Sequence, residues 1–120
     1  MSHVRNRPIA NRHSQGVWEI KRIPFLPRFH DPIRKGEKTM TSRTREYGKP
    51  GEVLEIVDGL YIQLIDVRWV MLGDVARGLF TQEGCSSPQE FIKIWEEIHP
   101  VGGFDPKMLV AVHEFTVVPE

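Results

Sequence analysis

Gly36-Glu37-Lys38-Thr39-Met40-Thr41-Ser42-Arg43 gathers a primary amine, threonine hydroxyls and a guanidinium more closely than any other stretch of the chain. Just upstream, Phe29 and Ile33 stand four apart with Asp31-Pro32 between them. That spacing predicts a short helix over 32–35, or from as early as 28, with Asp31 as its cap and Pro32 at its first position. Gly36 is its expected stop. Downstream, the β-branched threonines predict a strand over 39–44. Side chains at i and i+2 share one face of a strand, so Thr39, Thr41 and Arg43 point one way and Met40 and Ser42 the other. If Met40 faces the core, the threonine row faces a groove. Lys38 sits at the helix-to-strand junction, where strand alternation does not set its direction. The alternative is a solvated edge strand behind a lysine that merely ends a helix.

Working outward, residues 17–25 carry Val17, Trp18, Ile20, Ile23 and Phe25, a strand ended by Pro24 or Pro27. Gly48, Pro50 and Gly51 mark a turn, and 52–57 reads as a strand with apolar residues on both faces. Asp58-Gly59 is a hairpin signal. The strand that follows, 60–71, is long enough to need a bend, expected as a bulge near Asp66. Asp74 is a candidate cap for a helix through Val75, Ala76 and Leu79. Ser87-Pro88-Gln89-Glu90 opens another, with Phe91, Ile94, Trp95 and Ile98 at helical spacing. Residues 108–118 form the last strand. About five or six strands with two or three short helices, not regularly alternating, define an α+β domain or a small β-barrel with helical insertions.

The 120 residues imply one domain, and net charge is zero. Bulk electrostatic coating of nucleic acid is therefore disfavoured. The charge is nonetheless uneven. Residues 1–45 hold eleven lysines and arginines against three acids, and 46–120 hold five against thirteen. A basic half suits a phosphate-bearing or nucleotide-like ligand, although the two halves can equally pair on folding. Residues 1–16 read as a flexible basic arm able to touch RNA, and 17–120 as the domain. Cys85 is the single cysteine, which fits a reducing cytosol. No apolar run is long enough to span a bilayer.

The chemistry classes narrow in the same way. His3, His13, His30, His99 and His113 are scattered without metal-ligand spacing, so no metal and no cofactor is expected. There is no glycine-rich phosphate loop and no nucleophile elbow. Cys85 has nothing nearby to activate it. Trp18 and Trp69 are candidates for stacking a base, or for ordinary packing, and Trp95 for the core.

Phe25, Phe29, Ile33, Gly36, Lys38-Thr39, Thr41 and Arg43, followed by Gly51-Glu52-Val53-Leu54, together resemble the start of an ASCH domain, a family related to PUA domains. The likeness continues in Gly73-Asp74, the helix ending at Trp95 and the last strand with Phe115, covering about residues 23–118. It implies a small PUA-like β-barrel of mostly antiparallel strands with helices around a cleft. Within the family the chain looks most like small bacterial amidohydrolases acting on N4-acetylcytidine. That likeness implies Lys38, Thr41 and Glu83 as catalytic residues, Glu83 through the Gln82-Glu83 pair, with Thr39 and Arg43 as support for substrate. A small nucleoside is then the implied substrate. A non-catalytic RNA- or nucleotide-binding module and a ribonuclease are the alternatives, RNA being the implied partner of both.

Overall fold

A computed structural model describes residues 11–12 and 18–119 of the chain, with side chains from Ile20 onward. Most of the expected arm lies outside the described residues. Of it, β1 (Asn11–Arg12) pairs antiparallel with β2 (Trp18–Glu19) in a small separate sheet.

Five strands make the main sheet: β3 (Lys21–Arg22), β4 (Met40–Arg43), β5 (Val53–Val57), β6 (Leu60–Met71) and β7 (Leu109–Val117). Their order is β3-β5-β6-β7-β4. The β3–β5 pair is parallel and the other three pairs are antiparallel. With three α-helices among the described residues this is the expected α+β fold. The sheet is not closed into a barrel, for β3 and β4 remain edges. The expected strand over 17–25 is broken into β2 and β3, which belong to different sheets. After β3 the ladder continues only through Ile23 N–H to the Glu55 carbonyl, 3.1 Å, because Pro24 has no N–H to donate.

The hairpin between β5 and β6 turns on Asp58-Gly59, where Gly59 has φ +83°. The predicted bend in β6 is present, with register against β7 shifting between Leu64 and Asp66. The extra residue, Ile65, is pushed out to solvent.

Helix α1 (His30–Arg34) follows a 3₁₀ turn over Pro27–Phe29 and ends at Gly36, φ +75°. Asp31 does not cap it. The helix starts two residues earlier than that role allows, and Asp31 instead pairs with Arg34 at 3.3 Å. Asp74 likewise lies inside α2 (Leu72–Gly78) and pairs with Arg77. Helix α3 (Pro88–Ile98) begins as expected: Ser87 Oγ accepts from Glu90 N–H at 3.1 Å. The Glu90 carboxylate returns to Ser86 N–H, one residue before the cap.

Two apolar cores flank the sheet. Met40, Val110 and Val112 pack from one face against Leu72, Val75, Phe91 and Trp95 of α2 and α3. From the other face Leu54, Ile62, Leu64 and Phe115 pack with Ile23 and Ile33, and with Phe25 and Phe29 beside them. Burial on this scale is the main favourable contribution to folding. The two layers meet beyond the free edge of β4, and that edge carries the site.

Candidate active site

Register fixes which way β4 points its side chains. Thr41 lies opposite His113 and Ser42 opposite Val112. Thr41 and Arg43 therefore share the face of Phe115, while Met40 and Ser42 share the face covered by α2 and α3. An inner strand would keep these two sets apart. Beyond an edge strand both can reach one space, and here they do. A cavity of about 400 Å³ is lined by Lys38, Thr41, Ser42, Arg43 and Glu83. Its apolar walls are Phe25, Leu26 and Phe29 on one side and Phe91, Ile94, Trp95 and Ile98 on the other.

Glu83 arrives by backbone pairing. The loop after α2 docks onto the start of β4, where the Gln82 carbonyl accepts from both Thr39 N–H (2.8 Å) and Met40 N–H (3.0 Å). This puts Glu83 over Lys38. Lys38 Nζ donates to the Glu83 carbonyl at 2.5 Å and lies 3.5 Å from Glu83 Oε1. The other carboxylate oxygen, Oε2, accepts from Ser42 Oγ at 2.7 Å. Lys38 and Glu83 are each only 4% exposed. The ammonium also lies 4.6 Å from the centre of the Phe29 ring, a cation–π contact.

Burial pushes the Lys38 amine below its usual range, against the pull of the Glu83 carboxylate, while Arg43 adds to the downward shift. Arg43 Nε donates to Thr41 Oγ1 at 2.9 Å, and its terminal nitrogen donates to the Pro24 carbonyl at 2.6 Å. The guanidinium packs on the rings of Phe25 (4.7 Å) and Tyr47 (5.2 Å). One side chain thus joins β4 to the segment leaving β3, tying the two open edges of the sheet. Desolvation lowers the Arg43 pKa as well.

Of the residues marked in the sequence, Lys38, Thr41, Arg43 and Glu83 line this one cavity. Thr39 does not. Its backbone joins the loop to β7, with its carbonyl accepting from Phe115 N–H at 2.9 Å. Ser42 was missed by strand alternation, and would have been found by recognising β4 as an edge. The aromatic walls were missed too. Trp95 is both core and cavity wall, stacked on His99 at 4.1 Å. Ile98, expected to be buried, is half exposed at the rim. Trp69 lies elsewhere, on the surface, donating to Glu46 Oε2 at 2.8 Å. Trp18's side chain is outside the described set. Cys85 lines the cavity, but burial raises its thiol to about 11, so it stays protonated near neutral pH.

Among the described residues no group of three or more His, Cys, Asp and Glu is placed to hold a metal. No helix among them is long and apolar enough to cross a membrane.

No protein-family model matches the chain. No curated protein sequence matches it. Solved structures do. A DUF984 protein from Enterococcus faecalis V583 superposes with TM-score 0.66 at 20% identity, over 87% of this chain and 84% of that one. An ASCH domain from Lactobacillus crispatus JV V101 gives TM-score 0.55 at 21% identity, over 73% and 69%. A protein from Pyrococcus furiosus gives 0.61 at 16% identity, over 85% and 100%. The chain therefore has the ASCH-type, PUA-like fold. At these identities the likeness carries the fold and leaves function to the site.

Proposed function

We propose that the chain is an amidohydrolase that removes an acyl group from an N4-acylated cytidine-type nucleoside, releasing the nucleoside and a carboxylic acid. One observation carries the reading: a buried amine, carboxylate and pair of hydroxyls sit together in an aromatic-walled cavity, with Lys38 and Glu83 held in contact. A binding module has no need for a lysine of lowered pKa opposite a buried acid. Placing such groups in low dielectric costs stability, and sites that do so are usually chemical.

Each group has a role in amide cleavage. The pyrimidine ring lies between the apolar walls, with Phe25 and Phe29 on one side and Ile94 and Trp95 on the other. Thr41 Oγ1 attacks the acyl carbon while Lys38, as the free amine, takes its proton. The Arg43 N–H already bonded to Thr41 Oγ1 stabilises charge growing on that oxygen. As the carbon–nitrogen bond breaks, Glu83, carrying the proton that Lys38 gives up to it across their contact, protonates the leaving N4 nitrogen. Water then attacks the acyl-threonine and gives its proton to the Glu83 carboxylate. The Lys38 ammonium returns its proton to Thr41 Oγ1 as the carbon–oxygen bond breaks, and the carboxylic acid departs with both groups back in their starting states. Ser42 orients Glu83 throughout.

The test is turnover of N4-acetylcytidine by the purified protein, read as cytidine and acetate. Activity is expected from wild type and not from Lys38→Ala or Glu83→Ala. A free-amine base working with a protonated acid also requires a bell-shaped kcat/KM profile, with its maximum below the ordinary lysine value of 10.5. Absence of turnover by the wild type across neutral pH overturns the reading.

A further inference from the structure

Beside the first cavity lies a second, also about 400 Å³, walled by Lys21, Arg22, Arg45 and Lys49 together with Glu46 and Tyr47. Its positive charge is only partly neutralised. Lys21 is bound to Glu52 at 3.0 Å and Arg22 to Glu55 at 2.8 Å. Among the described residues no carboxylate lies within ion-pair distance of Arg45 or Lys49. The one acid in the wall, Glu46, is engaged by the Trp69 indole N–H at 2.8 Å.

Tyr47 is common to both cavities. Arg43, on the first, packs 5.2 Å from the centre of its ring, and Arg45, on the second, 3.8 Å from it. Stacking fixes the plane of the Arg45 guanidinium. One of its nitrogens donates to the Glu46 carbonyl at 3.1 Å. A guanidinium has five N–H donors, so most remain for a ligand, in a fork that matches two oxygens of a phosphate. Lys49 adds a point charge beside it.

We propose that this second cavity binds a phosphate of a nucleotide whose base occupies the first cavity. The chain's ligand is then a phosphorylated nucleoside, either free or at the 5′ end of an RNA strand. The inference rests on reading the first cavity as a pyrimidine site. A nucleotide carries its phosphate one sugar away from its base, and the two cavities adjoin at a shared wall residue, Tyr47.

The experiment is calorimetric titration of the full chain with cytidine, cytidine 5′-monophosphate and a short oligoribonucleotide bearing a 5′-phosphocytidine. At low salt the monophosphate is expected to bind about tenfold tighter than cytidine, an advantage that shrinks as salt rises. In Arg45→Gln/Lys49→Gln the advantage disappears while cytidine affinity is unchanged. Both positions are exposed, and an unchanged melting temperature verifies the fold. Tighter binding of the oligonucleotide than the monophosphate assigns the phosphate to an RNA end, and the reverse assigns it to a free nucleotide. Equal affinity for cytidine and its monophosphate, or an advantage that survives in the variant, overturns this proposal alone. Binding of neither overturns it together with the pyrimidine reading of the first cavity.

Discussion

Ser42 Oγ donates to Glu83 Oε2 at 2.7 Å, so the two carboxylate oxygens have different partners, a hydroxyl on one and the Lys38 ammonium on the other. The carboxylate is thereby held in one orientation, facing the cavity. In Ser42→Ala one buried oxygen loses its donor, which costs about 1–3 kcal/mol. Denaturant unfolding is expected to show that loss. Turnover of N4-acetylcytidine should fall through kcat with KM little changed, because a misoriented acid impairs bond breaking more than binding.

Lys38 and Glu83 form a buried pair, and removing one partner strands the other. Lys38→Met is expected to destabilise the fold by about 3–5 kcal/mol and abolish activity. Adding Glu83→Leu should restore much of the stability and none of the activity. Unfolding of the two single variants and the double variant closes a double-mutant cycle. Simple additivity would mean that the pair is not coupled.

Gly84 has φ +91°, and a Cβ there would stand 3.2 Å from Lys38 Cβ. Gly84→Ala therefore combines left-handed strain of about 1–2 kcal/mol with pressure on the lysine stem. A modest drop in melting temperature is expected, with a larger loss of kcat as Nζ is displaced. A drop in stability with unchanged kcat would show that Lys38's placement does not depend on this contact.

His113 is fully buried. Its Nε2 accepts from Tyr47 N–H at 3.0 Å, so its proton is on Nδ1, 2.9 Å from the Ala111 carbonyl. The ring is neutral, and desolvation lowers its pKa from 6.5. The unfolded chain therefore takes up a proton below about pH 6.5 that the fold refuses. Stability should be flat in this respect above that pH. Below it, stability should fall by at most about 1.4 kcal/mol per pH unit until the folded pKa is reached. Urea midpoints across this range check it, with His113→Gln giving a shallower acid limb.

The local signals were legible because they are local. Gly36 ends α1, Ser87-Pro88 opens α3, Asp58-Gly59 turns the β5–β6 hairpin, and β6 bends beside Asp66, each set by backbone preferences of a few residues. Asp31 and Asp74 misled for a related reason. A short acidic side chain before a helical pattern fits both a cap and a first-turn ion pair, and where the helix starts depends on packing.

Composition and periodicity by themselves determined an α+β domain and an amine-hydroxyl-guanidinium strand behind a helix stop. The family likeness in the sequence added Glu83. Only the tertiary structure decided that β4 is an edge, so that Ser42 and Thr41, on opposite faces, reach the same cavity. It also decided that Thr39 stays out, and that the open sheet is tied by Arg43 to the Pro24 carbonyl rather than closed by backbone pairing. Strand order and the docking of the loop at Gln82 are long-range pairings. Their energies depend on which surfaces meet, and no local window of sequence carries that information.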